Sequence, residues 1–276
     1  MKVIYILMMI LTLSCSNFND IKETISKANI GVDEELLQVE LTKKYVLGSD
    51  TVKFKFHESA KSKIFYISLH DDENTAVGAI ESQLDCNFNG RFIELNHTGE
   101  RLVKFKMGNE NYIFDPNRIF TPQGVKASLE KYSKYNAEAA KIVEDFGKYI
   151  VDSLLKDAEI VVAIHNNGND AYSILDYKKG GIYQNDAADI FIAEESDPDN
   201  FLYVTEKLFF DVFKRNNYNV ILQNNSNAAD DGSLSVYCGI KNKKYINIEA
   251  QSGELVTNIE MIKFTNKIVS DSISVN

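Results

Sequence analysis

His70 and Glu73 stand three residues apart at the end of the apolar run Ile64-Phe65-Tyr66-Ile67-Ser68-Leu69. A strand that stops at such a pair can aim an imidazole nitrogen and a carboxylate oxygen at one cation. His-x-x-Glu also arises by chance, and a solvated polar turn has the same letters, so the pair needs company. The chain has four histidines, few enough to weigh singly. His57 ends an early strand-like run and reads as structural or surface. His97, in Leu95-Asn96-His97-Thr98-Gly99, reads as a turn residue. His165 closes a second apolar run, Ile160-Val161-Val162-Ala163-Ile164, ahead of Asn166-Asn167-Gly168. Two strand ends in one sheet would then assemble His70, Glu73 and His165. Two imidazoles and one carboxylate leave a coordination position open for water, the pattern of a catalytic rather than a structural zinc ion.

A carboxylate is needed to work that water. Tyr245-Ile246-Asn247-Ile248-Glu249-Ala250-Gln251 has a strand pattern in which Glu249 falls opposite Ile246 and Ile248 or at the strand's end. A carboxylate in such a place is costly unless paired or functional, which makes Glu249 the candidate general base. The plain alternative is an exposed Glu on a half-solvated strand. Glu254 is a weaker competitor, since it suits the first turn of a following helix. In Phe114-Asp115-Pro116-Asn117-Arg118-Ile119-Phe120 the proline excludes a regular central strand, so Asn117 and Arg118 belong on an ordered loop. Arg118 can fork onto a carboxylate there with Asn117 adding a hydrogen bond, or be packed structurally by Phe114 and Phe120.

The elements that must position these residues follow from periodicity. The chain has 276 residues, 44% of them hydrophobic and 25% charged, enough for a full core in one large domain or two small ones. Apolar runs at 52–56, 63–69, 92–95, 102–107, 160–164, 218–222, 235–240 and 245–250 suit strands. Helical periods occupy 75–85, 123–155, 204–214 and 254–269. Strands interleaved with helices predict an α/β fold, a three-layer α/β/α sandwich around a mixed, mostly parallel sheet. Ligands bind such sheets at the carboxyl ends of the strands, where His70 and Glu73 fall. Residues 166–200, rich in Asp, Gly and Tyr, read as a long loop after His165, either a functional lid or a plain surface excursion. The net charge of −10, with no basic cluster, excludes a nucleic-acid binder.

The first residues read as a targeting segment. Met1-Lys2, the apolar run Val3 to Leu13 and the small residues Ser14-Cys15-Ser16 predict a signal peptide over 1–14, removed on export. The run is too short to span a bilayer. Thr12-Leu13-Ser14-Cys15 resembles an imperfect lipobox, which would lipidate Cys15 and anchor the protein in a bacterial cell envelope. An ordinary secretory peptide with an incidental Cys is the alternative. Residues 15–49 then form a tether and lead-in, and 50–276 the functional domain. Cys86 and Cys238 could pair, although Cys238 lies in a strand-like run where a buried thiol fits equally well. No Cys pair has zinc-finger spacing, which leaves any metal to His and carboxylates.

The order His-x-x-Glu, Asn-Arg, strand-end His, strand-borne Glu resembles the zinc carboxypeptidase A-like metallopeptidases, whose wider relatives include the succinylglutamate desuccinylase and aspartoacylase group. The resemblance spans roughly residues 64 to 261. It implies one zinc ion on His70, Glu73 and His165, with Asn117 and Arg118 clamping a substrate carboxylate. It implies that Glu249 activates water and hands its proton to the leaving amine, and that Arg101 polarises the scissile carbonyl. The family's substrate-side Tyr has no clear match: Tyr237 is misplaced in spacing, and Tyr172 is a guess. The function implied is hydrolysis of an amide or peptide bond in a substrate bearing a free carboxylate. A deacylase of N-acyl amino acids and a non-catalytic surface lipoprotein on the same fold are the other two readings.

Overall fold

The runs at residues 64–68 and 160–164 carry almost no polar side chains because both of their faces are covered, as in the buried centre of an α/β sheet. The computed structural model describes residues 42–58, 62–84, 88–168 and 172–274. In chain order the strands are β1 (Thr42–Leu47), β2 (Asp50–Glu58), β3 (Ile64–Ser68), β4 (Arg91–Asn96), β5 (Val103–Met107), β6 (Glu110–Phe114), β7 (Ile160–Asn167), β8 (Ala187–Phe191), β9 (Phe201–Val204), β10 (Val220–Gln223) and β11 (Lys244–Gln251). The helices are α1 (Asn74–Glu81), α2 (Pro122–Tyr132), α3 (Ala137–Tyr149), α4 (Lys207–Arg215), α5 (Leu234–Ile240) and α6 (Leu255–Ser274). A π-helical turn, Ile150–Leu154, extends α3.

Nine strands form one sheet in the order β1-β2-β4-β3-β7-β11-β9-β10-β8, and β5 and β6 pair separately. The centre, β4-β3-β7-β11, is parallel throughout, and antiparallel neighbours flank it. Tracing the pair directions outward, six of the nine strands run one way and β2, β9 and β10 the other. The sheet is thus mixed and mostly parallel, as expected.

The pleat sorts each central strand between two cores. Phe65, Ile67, Val161 and Ala163 face α2, α3 and α5, whereas Ile64, Tyr66, Val162 and Ile164 face α1, α4 and α6. Helices cover both faces, completing the three layers. No described helix is long and apolar enough to cross a membrane.

Several expectations need correction. Thr42–Leu47, assigned to the lead-in, is an edge strand hydrogen-bonded to β2. The run 235–240, read as a strand, is helix α5, started by Ser233, whose Oγ accepts the Val236 amide. Cys238 is therefore helical; it is a free, buried thiol whose pKa burial pushes up to about 12. The period at 123–155 divides into α2 and α3 because Asn136 caps the second helix, accepting from the Glu138 and Ala139 amides. Residues 166–200 are no plain loop, since β8 within them pairs with β10 at the sheet's edge. The signal peptide, Cys15 and Cys86 lie outside the described residues.

Candidate metal centre

β3 delivers the chain to Leu69, fully buried, and His70 follows at 1% exposure. A tight turn, with the Glu73 amide donating to His70 O at 3.4 Å, brings Glu73 to the N-terminal boundary of α1. His-x-x-Glu thus spans the step from strand end to helix start, which turns both side chains inward. Asp71, between them, fastens this turn to the end of β4. Its carboxylate accepts from Asn96 Nδ2 at 3.0 Å, His97 N at 2.7 Å and Gly99 N at 2.6 Å. Gly99 has φ +75°, a conformation that costs glycine little. His97 is the turn residue expected, and His57 stacks on Phe92, a structural place.

His165 comes from β7 on the face of Val161 and Ala163. Its Nδ1 lies 2.9 Å from Glu73 Oε2, and His70 Nδ1 lies 2.8 Å from Glu73 Oε1. Ligand-type atoms of His70, Glu73 and His165 all fall within 4.8 Å of one another, and the three residues are buried. Two imidazole nitrogens converging on one carboxylate are a donor set that could hold a metal ion.

Sequence reasoning passed over Asp115, although its segment was singled out. Asp115 Oδ1 meets His70 Nε2 at 2.9 Å. A carboxylate on the outer nitrogen of a ligating His fixes the ring and raises its basicity. Asp115 is itself held by the Asn117 amide on Oδ1 at 2.8 Å, and its own amide donates to Ser128 Oγ at 2.8 Å. The available signal was an acidic residue between a strand end and Pro116.

Both nitrogens of His70 therefore face carboxylates. Burial would lower the His70 pKa, but Glu73 and Asp115 together outweigh it and raise it from 6.5 to about 9. Glu73 stays well below the usual carboxylate range: burial opposes ionisation, and the two imidazoles prevail. Metal binding at Nδ1 must displace the His70 proton, so it is expected to release about one proton per chain and to tighten as pH rises toward 9. Calorimetric titration in buffers of different ionisation enthalpy counts the protons; a count of zero would contradict the imidazolium. The sign of metal-free stability follows too. The raised His70 contributes fully below pH 6.5 and is lost through about 9, while the depressed Glu73 contributes above 4.5 and is lost as pH falls. Unfolding of chelated protein should therefore be hardest between pH 4.5 and 6.5.

Glu249, on β11, sits opposite His165 in the parallel register. Partners in register share a face, so the two side chains project together. Glu249 is 8% exposed, and Asn247 Nδ2 donates to its Oε1 at 2.9 Å. Burial raises its pKa, with the charge of Glu73 adding, against the opposing pull of His165, Asn247 and Arg101. Glu254 instead accepts from Asn200 Nδ2 at 3.1 Å and takes no part.

Arg101 reaches the cluster: its Nη1 lies 2.9 Å from Glu73 Oε1, and half of its side chain stays exposed. Asn117 is committed to the fold. Its Oδ1 accepts the Leu234 amide at 3.0 Å at the start of α5, and its Nδ2 is 3.4 Å from His165 Nε2. Arg118 donates through Nη1 to Asn117 O at 2.7 Å, with Nε 3.4 Å from Asp231 Oδ2. Glycine sets that placement. A Cβ on Gly124 would fall 2.2 Å from Gly232 Cα and 2.8 Å from Arg118 O, so α2 and the Asp231 loop can close on Arg118 only without side chains there. Tyr172 is half-buried beside Phe201, its hydroxyl 2.5 Å from that of Tyr177. Burial first, and then Glu249, raises its pKa well above the usual value. Tyr237 packs on Phe120, with ring centroids 6.3 Å apart.

No protein-family model and no curated protein matches the sequence. Solved structures with a similar fold include a provisionally assigned metallopeptidase from Shewanella baltica (TM-score 0.42, 13% identity, 84% of this chain and 88% of that one). They include the succinylglutamate desuccinylase of Chromobacterium violaceum (0.42, 11%, 76% and 62%) and the murein-tripeptide amidase MpaA of Escherichia coli O157 (0.42, 14%, 80% and 91%).

Proposed function

We propose that this protein is a zinc-dependent hydrolase of amide or peptide bonds in small substrates that carry a free carboxylate. One observation carries the reading: Glu249, buried and in register with His165, shares a face with the ligand set His70, Glu73 and His165. A zinc ion held by those three residues would polarise the scissile carbonyl and lower the pKa of a water to about 7. Glu249 would take a proton from the attacking water and pass it to the departing nitrogen, a task suited to a carboxylate whose pKa burial has raised. Arg101 places cationic donors beside the cluster, where they offset negative charge developing on the carbonyl oxygen. Arg118, close to Tyr172 and Tyr183, is the receptor for the substrate carboxylate. Asn117 serves by steadying His165 and the start of α5 rather than by touching substrate.

Metal analysis of the purified protein and a screen of zinc-loaded protein against C-terminal amino-acid release, cell-wall stem peptides and N-acyl amino acids test this reading. One zinc per chain with turnover in one of these classes is expected. No stoichiometric metal and no turnover would sink it. Asp115→Asn should weaken zinc binding by about 10–100-fold, since it removes the carboxylate that orients His70; competition with a chromophoric chelator measures this. We further propose export and lipidation at Cys15, which palmitate labelling of Cys15→Ser against the unaltered chain checks.

A further inference from the structure

β4 carries a carboxylate in a row that begins in the core. Phe92, Glu94 and Asn96 alternate onto one face of the strand, and Phe92 packs in the core beneath α1 and α6. The Glu94 side chain is 8% exposed. Lys55 Nζ donates to its Oε1 at 3.1 Å and Asn96 Nδ2 at 3.4 Å, whereas Oε2 is buried with no hydrogen-bond partner among the described residues. A buried carboxylate oxygen left so is costly unless something else donates to it.

Glu94 lines a cavity of about 420 Å³ between α1 and the loop after β4, with Asp71, Gly78, Glu81 and His97 also in its wall. His97 Nε2 is a second buried atom without a partner among the described residues, while its Nδ1 meets Thr98 Oγ1 at 3.0 Å. The wall holds three carboxylates against one cation, Lys55. Asp71 is spent on Asn96 and two backbone amides. Glu81 has His57 at 3.6 Å as its one ion-pair partner among the described residues, and burial lowers the pKa of that imidazole, disfavouring its charged form. Gly78 sits inside α1, where glycine weakens a helix, yet a Cβ there would meet nothing within 4 Å. The helix therefore leaves that side of the cavity open.

We propose that this cavity seats a primary ammonium group, with Glu94 Oε2 as its charge partner and His97 Nε2 as a second acceptor. An ammonium has three donors and no acceptor, matching two unsatisfied acceptors and a negative wall. A divalent cation fits less well, since the one cluster with ligand spacing among the described residues is His70, Glu73 and His165. Two sources share the ammonium chemistry. The turn over residues 70–74 is a common wall, with Asp71 and Asn74 toward the cavity and His70 and Glu73 toward the metal centre. The amine belongs either to the substrate of that centre or to a separate small molecule.

The test titrates full-length, zinc-loaded protein with n-propylammonium chloride, and with n-propanol at matched ionic strength, following the backbone amide signals of Asn96, His97 and Gly99. Saturable shifts with the ammonium alone are expected. Glu94→Gln should weaken binding by about tenfold or more, and Gly78→Leu, which fills the cavity, should abolish it. No saturable shift, an equal response to the alcohol, or affinity unchanged in Gly78→Leu overturns the proposal, and this last variant decides even if Glu94→Gln does not fold. The source is read from a substrate pair with free and acetylated amine. A KM about tenfold higher for the acetylated member, absent in Glu94→Gln, assigns the amine to the substrate; equal KM values assign it to a separate ligand. Because the binding readout needs no turnover, shifts without hydrolysis would sink the proposed function and leave the ammonium site standing.

Discussion

Glu249→Gln is expected to lower kcat by about 10²–10⁴-fold while zinc stoichiometry and fold stay unchanged. The carboxamide keeps the shape that Asn247 holds and loses the atom that accepts a proton. Since Glu249 is no member of the ligand set, the metal should stay. The acid limb of kcat/KM in the unaltered protein should lie above pH 4.5, because burial makes Glu249 a weaker acid than usual. Full turnover in Glu249→Gln would remove this residue from the chemistry and spare the metal centre.

Glu73→Ala should have the largest effect on the molecule as a whole. One carboxylate accepts from His70 Nδ1, His165 Nδ1 and Arg101 Nη1 at 2.8 to 2.9 Å. Its removal takes away a ligand and leaves the buried His70 cation with Asp115 alone. Zinc content should fall to background. The metal-free form should lose about 3–5 kcal/mol of stability, the penalty for stripping one partner from a buried ion pair. Urea unfolding of both proteins in chelator gives that difference, and metal analysis gives the first; stoichiometric zinc in Glu73→Ala would refute the ligand set.

How much of this was readable from residue order depends on how each group is placed. His70, His165 and Glu249 stand out in the sequence because each closes or interrupts an apolar run, and β3, β7 and β11 are strands with covered faces. Asp115 does not, because its partner His70 lies 45 residues away and only the folded sheet brings them together. The hydrogen bond that Asn117 accepts from the Leu234 amide spans 117 residues and is equally hidden. Strands β1 and β8 are edge strands with half-solvated faces, so they lack a period that stands out. Helix α5 hid behind Val236 and Tyr237, residue types common in strands; what makes it a helix is the Ser233 cap and the spacing of Leu234 and Cys238, both buried four residues apart.

The eight-residue pairing of β7 with β11 has an evolutionary side. A slip of one residue would turn Glu249 toward α6 and part it from His165, so the backbone ladder that stabilises the sheet also holds these two side chains together. Arg118, Tyr172 and Arg101, by contrast, sit on connections that a short insertion can reshape without disturbing a strand. Descendants of this chain could therefore reshape those connections while the pairing of Glu249 with His165 is inherited whole.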